Sequence, residues 1–170
     1  MVHQKEKEGG KGLSLVGAAR WHVTLRFLGQ VGEERVPELV EALAAAAGAF
    51  SGPLRCQVGP ETGWFVGTRV LQLPVVGLDP LADAVMAATT AAVPAQRDDA
   101  LPFNGHLTLA RLRGRRRGVS GRMGRTLGGV AFGAAFDVDS IDLVHSEPSP
   151  NGHVYSTLFR AQLGAGGDLY

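Results

Sequence analysis

The sequence has a single cysteine among 170 residues, almost no net charge and no long apolar run, and each scarcity closes off a class of protein. Cys56 alone can form neither an intramolecular disulfide nor a cysteine-rich zinc site. It reads as a small core residue, fits a reducing compartment and sets the expectation of a cytoplasmic protein. No uninterrupted 18-residue apolar segment occurs, so no membrane span is expected. Residues 1–12 are charged and glycine-rich, without the apolar stretch of a signal peptide, and read as a flexible tail. The net charge of +1 names no partner, so only the distribution of charge is informative.

Hydrophobic residues make up 45% of the chain, enough for a packed interior, and the length suits one domain or two small lobes sharing a core. Residues 13–16 suggest a short strand. Residues 33–50 suggest a helix, with Val36, Leu39, Val40 and Leu43 at helical spacing and Glu33 and Glu34 at its positive end. Gly52 and Pro53 stop it. Strands are expected at 54–58, 63–66 and 70–76. Asp79 is the expected N-cap, with Pro80 at the first helical position, of a helix running to about Val93. Residues 138–145, with Ile141, Leu143 and His145 on one face, and 154–163 complete the strands, and 146–152 reads as a turn-rich loop. Helices mixed with antiparallel hairpins make the class α+β.

Two stretches carry chemistry. Phe103-Asn104-Gly105-His106-Leu107-Thr108-Leu109-Ala110-Arg111 alternates like a strand that starts after Asn-Gly. Trp21-His22-Val23-Thr24-Leu25-Arg26-Phe27-Leu28-Gly29 repeats its His-x-Thr-Leu core. On a strand, residues i and i+2 share a face, so His22 joins Thr24 and His106 joins Thr108. A single His-x-Thr is ordinary in a structural strand; a second copy makes coincidence a poor explanation. Two imidazoles divide acid–base work well, because an unperturbed imidazole titrates near ~6.5 and both forms are present near neutrality. One removes a proton from the nucleophile and the other protonates the leaving oxygen. The threonine hydroxyls can donate to an anion held between them. Arg111 lies three residues beyond Thr108, so on a regular strand it alternates to the opposite face; it needs the strand's end, a bulge or its own length to reach the anion. A phosphodiester suits this set, and no metal or other cofactor is required. A zinc site built on His22 and His106 would need a third ligand; His145 and His153 are candidates, but neither stands at a familiar ligand spacing.

Together, the paired motifs with their Phe-Leu-Gly and Ala-Arg extensions resemble the 2H phosphoesterase superfamily, and within it the RNA 2′,3′-cyclic phosphodiesterases, the 2′-5′ RNA ligase-like group. The resemblance covers most of the chain after about Ala19. It implies that residues 13–170 form a single bilobal domain, with two antiparallel sheets related by pseudo-two-fold symmetry around a central cleft. It also implies metal-independent hydrolysis of an RNA terminal 2′,3′-cyclic phosphate to a 2′-phosphomonoester. Carried onto this sequence, His22 is the proton donor and His106 the proton acceptor, while Thr24, Thr108 and Arg111 hold the phosphate. The expected partners are RNA ends bearing the cyclic phosphate, such as tRNA fragments, with no membrane involved, and the expected state is a monomer. Reverse chemistry, joining RNA ends through a 2′-5′ bond, and an idle RNA-binding module are the alternatives. On strand alternation Phe27 shares the Val23 and Leu25 face and is expected in the core.

Two features depart from the family pattern. Only about 20 residues precede His22, so the first strand and first helix look missing, with 13–16 filling part of the gap. A cluster of Arg111, Arg113, Arg115, Arg116, Arg117, Arg122 and Arg125 follows the second motif; beside a cleft it would hold RNA phosphates away from the reacting end.

Overall fold

Leu39 and Leu43 stand one helical turn apart, and Ala46 and Ala47 complete the same face; all four are buried. They lie on α1 (Val36–Gly48), with Pro37 in its first turn and the short 3-10 turn Glu33–Arg35 in front of it. The computed structural model describes residues 12–65, 69–94, 101–112, 126–149 and 152–164. The expected tail, apart from Gly12, and the arginines from 113 to 125 lie outside the described residues.

The remaining elements in chain order are β1 (Leu13–Leu15), β2 (Leu54–Val58), β3 (Gly63–Trp64), β4 (Val70–Val76), α2 (Asp79–Thr89), β5 (His106–Leu112), β6 (Ala134–Val138), β7 (Ser140–Ser149) and β8 (Gly152–Gln162). A six-stranded sheet runs β1-β5-β4-β2-β6, with β3 added on β4, and β7 and β8 form a two-stranded sheet. Every pairing is antiparallel. This is the expected α+β class. The two sheets are unequal in strand number. Among the described residues no helix is long and apolar enough to cross a membrane.

The main core lies between the helices and both sheets. Leu39 and Leu43 of α1 and Leu81 and Val85 of α2 meet Cys56, Val75, Ile141 and Leu143. Fully burying each leucine is worth about 1.5–3 kcal/mol. Cys56 is fully buried, and that burial, followed by the Asp137 charge, pushes its thiol up from its ordinary value.

Four local expectations are corrected. Leu78, not Asp79, precedes α2, and no side chain caps it; Asp79 is the first helical residue, where its carboxylate still suits the positive end. α2 stops at Thr89, not near Val93, and residues 90–93 continue as turns. The expected loop at 146–152 is mostly strand, because β7 and β8 pair from Ser140↔Gln162 to Ser149↔Gly152. His145 has the strand parity of Leu143 but lies where the hairpin has run past the core, and it is exposed.

Candidate active site

β5 has β1 on one side and β4 on the other, which makes it a rigid base for the second motif. On β4, Leu71, Leu73 and Val75 point into the interior, so Val70, Gln72 and Pro74 point away from it. Pro74 pairs with His106 and Gln72 with Thr108, which puts the histidine and threonine on that outer face. The register then shifts: Leu71 pairs with Ala110 and Val70 with Arg111, leaving Leu109 as an extra residue on β5. This bulge reverses the alternation. Ala110 turns inward and is completely buried, and Arg111 comes to the face of His106 and Thr108. The bulge that Arg111 needed is present.

Gly105 allows the strand to start where it does. Its carbonyl accepts a 2.8 Å bond from the Val75 N–H. A Cβ on Gly105 would be forced into the Val75 carbonyl oxygen and lie 3.1 Å from the Phe103 ring.

The first motif is held differently. Residues 21–29 form no strand, which corrects the expected one: they make no ladder, and their shape comes from side-chain anchors. Val23, Leu25 and Leu28 pack on the core. Arg26 donates from Nη1 to Thr89 Oγ1 at 2.6 Å and from Nη2 to the Val93 carbonyl at 2.9 Å, tying the motif to the end of α2. Gly29 ends it at φ +69°, a conformation that favours glycine. Phe27 is 66% exposed and not in the core, since without a regular strand the alternation that put it there does not apply.

Both histidines use one local device. His22 Nδ1 lies 2.8 Å from the Arg20 carbonyl and His106 Nδ1 lies 2.8 Å from the Asn104 carbonyl. A carbonyl only accepts, so Nδ1 carries the hydrogen in both rings, and each Nε2 is left to exchange a proton. The Arg20 carbonyl is presented by the 3-10 turn Ala18–Arg20. Each ring also meets an aromatic edge: Tyr155 lies 5.0 Å from His22 at 65°, and Phe65 lies 4.6 Å from His106 at 89°, centroid to centroid. Such contacts are worth about 0.5–1.5 kcal/mol and restrict ring rotation.

A short path joins the two motifs. The Trp21 indole donates to the Val16 carbonyl at 2.9 Å, and the Val16 N–H donates to the Leu109 carbonyl at 2.8 Å. Residues adjacent to His22 and Thr108 are thereby linked through the end of β1. Among the described residues no side-chain hydrogen bond engages the hydroxyls of Thr24 and Thr108, and no carboxylate pairs with Arg111. Nor does any group of three or more His, Cys, Asp or Glu side chains among them stand ready to hold a metal ion. His153, weighed as a ligand, instead bonds through Nδ1 to Ser146 Oγ at 2.9 Å. Nothing in the sequence singles out Tyr155 and Phe65: an aromatic on or just beyond a neighbouring strand carries no motif, and only the fold brings each against its histidine.

The LigT-like phosphoesterase family model matches residues 3–54, which span the first motif and α1. The structure of TT0787 from Thermus thermophilus is similar at 30% identity with a TM-score of 0.74, the match covering 91% of this chain and 84% of that one. Escherichia coli LigT complexed with 3′-AMP is similar at 25% identity with a TM-score of 0.63, covering 90% of this chain and 82% of that one. The same protein complexed with NADP+ gives 25% identity and a TM-score of 0.62, covering 91% of this chain and 82% of that one. No curated protein matches the chain by sequence.

Proposed function

Because the chain belongs to the LigT-like phosphoesterases of the 2H superfamily, enzymes that act on phosphodiester bonds, we propose that it hydrolyses the terminal 2′,3′-cyclic phosphate of RNA to a 2′-phosphomonoester. The observation that carries this reading is the matched pair of histidines, each with Nδ1 spent on a carbonyl and Nε2 left for proton transfer.

In this mechanism His106 Nε2 takes a proton from water as the oxygen attacks phosphorus. The P–O3′ bond breaks in line with the attack. His22 Nε2 gives its proton to the departing O3′, leaving a 3′ hydroxyl and a 2′-phosphate. Each positioned group contributes about 10²- to 10⁴-fold in rate. Thr24 and Thr108 donate to the non-bridging oxygens, and Arg111, brought over by the bulge at Leu109, offsets the growing charge. The ligands of the E. coli relative support the choice of substrate: 3′-AMP and NADP+ both hold an adenosine phosphorylated at a ribose 2′ or 3′ oxygen, the two positions a cyclic phosphate spans. The arginines from 113 to 125 supply a basic segment for RNA phosphates further from the end.

The test is hydrolysis of a 2′,3′-cyclic nucleotide in the presence of EDTA, with the 2′- and 3′-monophosphates resolved. A 2′ product is expected. A folded protein without turnover, or one forming only the 3′ isomer, overturns the assignment.

A further inference from the structure

A second ring lies beyond the one that touches His22. On β7, Ile141 and Leu143 are buried, so Asp142, Val144 and Ser146 occupy the opposite face. Ser146 pairs with Tyr155 and Pro148 with His153, which places both aromatic side chains on that outer face. Their rings are nearly parallel, 19° apart in plane and 6.3 Å between centroids. His153 is held in this orientation by its 2.9 Å bond to Ser146 Oγ, and Tyr155 is 43% exposed. An exposed, pre-ordered pair of rings buries little of its own surface and contributes little to the core. A flat π-surface beside the acid is what a nucleobase would use.

We propose that Tyr155 and His153 form the platform on which the base of the substrate's terminal nucleotide stacks, an assignment that rests on the phosphodiesterase reading above. The connectivity of a nucleotide supports it. The base is one sugar ring away from the phosphate, and Tyr155 is one ring contact away from His22, which protonates an oxygen of that sugar. The two histidines also differ in what stands behind them. Phe65, beside His106, is half-buried, whereas Tyr155 and His153 are both exposed. The water side of the site is then the His106 side, and the nucleoside lies over β8. Stacking of this kind tolerates every base, because each presents a π-face, so the platform gives affinity without sequence preference.

Calorimetric binding of adenosine 2′-monophosphate and of 1-O-methylribose 2-phosphate, which lacks the base, tests the platform without requiring turnover. Wild type is expected to prefer the adenosine ligand by about tenfold or more. Tyr155→Ala should abolish that preference while weakening the baseless ligand far less than the adenosine ligand, Tyr155→Phe should retain it, and His153→Ala should reduce it. A preference that survives Tyr155→Ala overturns the proposal, as do an equal loss for both ligands and a wild type that binds neither. A wild type that shows the preference but hydrolyses no cyclic phosphate sinks the activity reading and leaves the platform standing. Equal KM values for 2′,3′-cyclic AMP and its baseless analogue would do the reverse.

Discussion

His22 and His106 each place Nδ1 2.8 Å from the carbonyl two residues upstream, although one follows a 3-10 turn and the other opens a sheet strand. Unrelated backbones thus produce the same tautomer. Replacing either histidine with alanine should lower kcat on a 2′,3′-cyclic nucleotide by roughly 10²- to 10⁴-fold with the circular dichroism spectrum unchanged. Full activity in either single variant would refute a two-histidine mechanism.

Arg111 reaches the site face only because Leu109 is an extra residue on β5. Arg111→Ala should raise KM for the cyclic nucleotide about tenfold or more, and Arg111→Lys should recover part of it by keeping charge but not the bidentate fork. Steady-state kinetics on the two variants decides; unchanged KM in Arg111→Ala removes the residue from the phosphate site.

Arg26 performs for the first motif the service that β4 performs for the second. Its bonds to Thr89 and Val93 are part-buried and charge-assisted, each worth about 1.5–3 kcal/mol. Arg26→Ala should lower the urea midpoint and reduce kcat more than it raises KM, because His22 loses its support while β5, with the proposed phosphate-binding residues Thr108 and Arg111, is untouched. A variant with wild-type stability and kcat would show that the apolar anchors suffice.

Acid sensitivity should trace in part to Asp142. The hydrogen bond from Arg160, then its charge and the Thr157 hydroxyl, hold the Asp142 carboxyl below its usual range against a desolvation that would raise it. A lowered folded pKa stabilises the protein above the unfolded carboxyl value, near ~3.9, and that contribution fades as pH falls through the folded value. Wild type should therefore exceed Asp142→Asn in stability at neutral pH, with the gap closing below about pH 4 in denaturant melts. The ion pair is partly exposed, chiefly on its Arg160 side, so the gap should be small.

The sequence made the scaffold legible wherever periodicity or a breaker carried it. The apolar spacing of α1, a helix opening around Asp79 and Pro80, the strand at 70–76 and the alternation of β5 from His106 to Thr108 appear as read, whereas beyond Thr108 the bulge turns Ala110, not Leu109, inward. What failed depended on partners distant in the chain. Alternation in 21–28 implied a strand, but no ladder forms, and Phe27 came out of the core with it. The same rule put Arg111 on the wrong face of a regular strand, and only pairing with β4 reveals the bulge. Tyr155 and Phe65 are set against the histidines by tertiary packing that has no local signature.

The two half-sites stand on supports of unequal stiffness. β5 is flanked by strands on both sides, while β8, which carries the ring beside His22, belongs to a ribbon of two strands leaning on α1. A lone hairpin is marginal in water and takes its persistence from what it packs against. Amide protons in the outer half of β8, around Tyr155, should therefore exchange with solvent well before those of β5. The half-site built on His106 therefore rests on the firmer of the two supports.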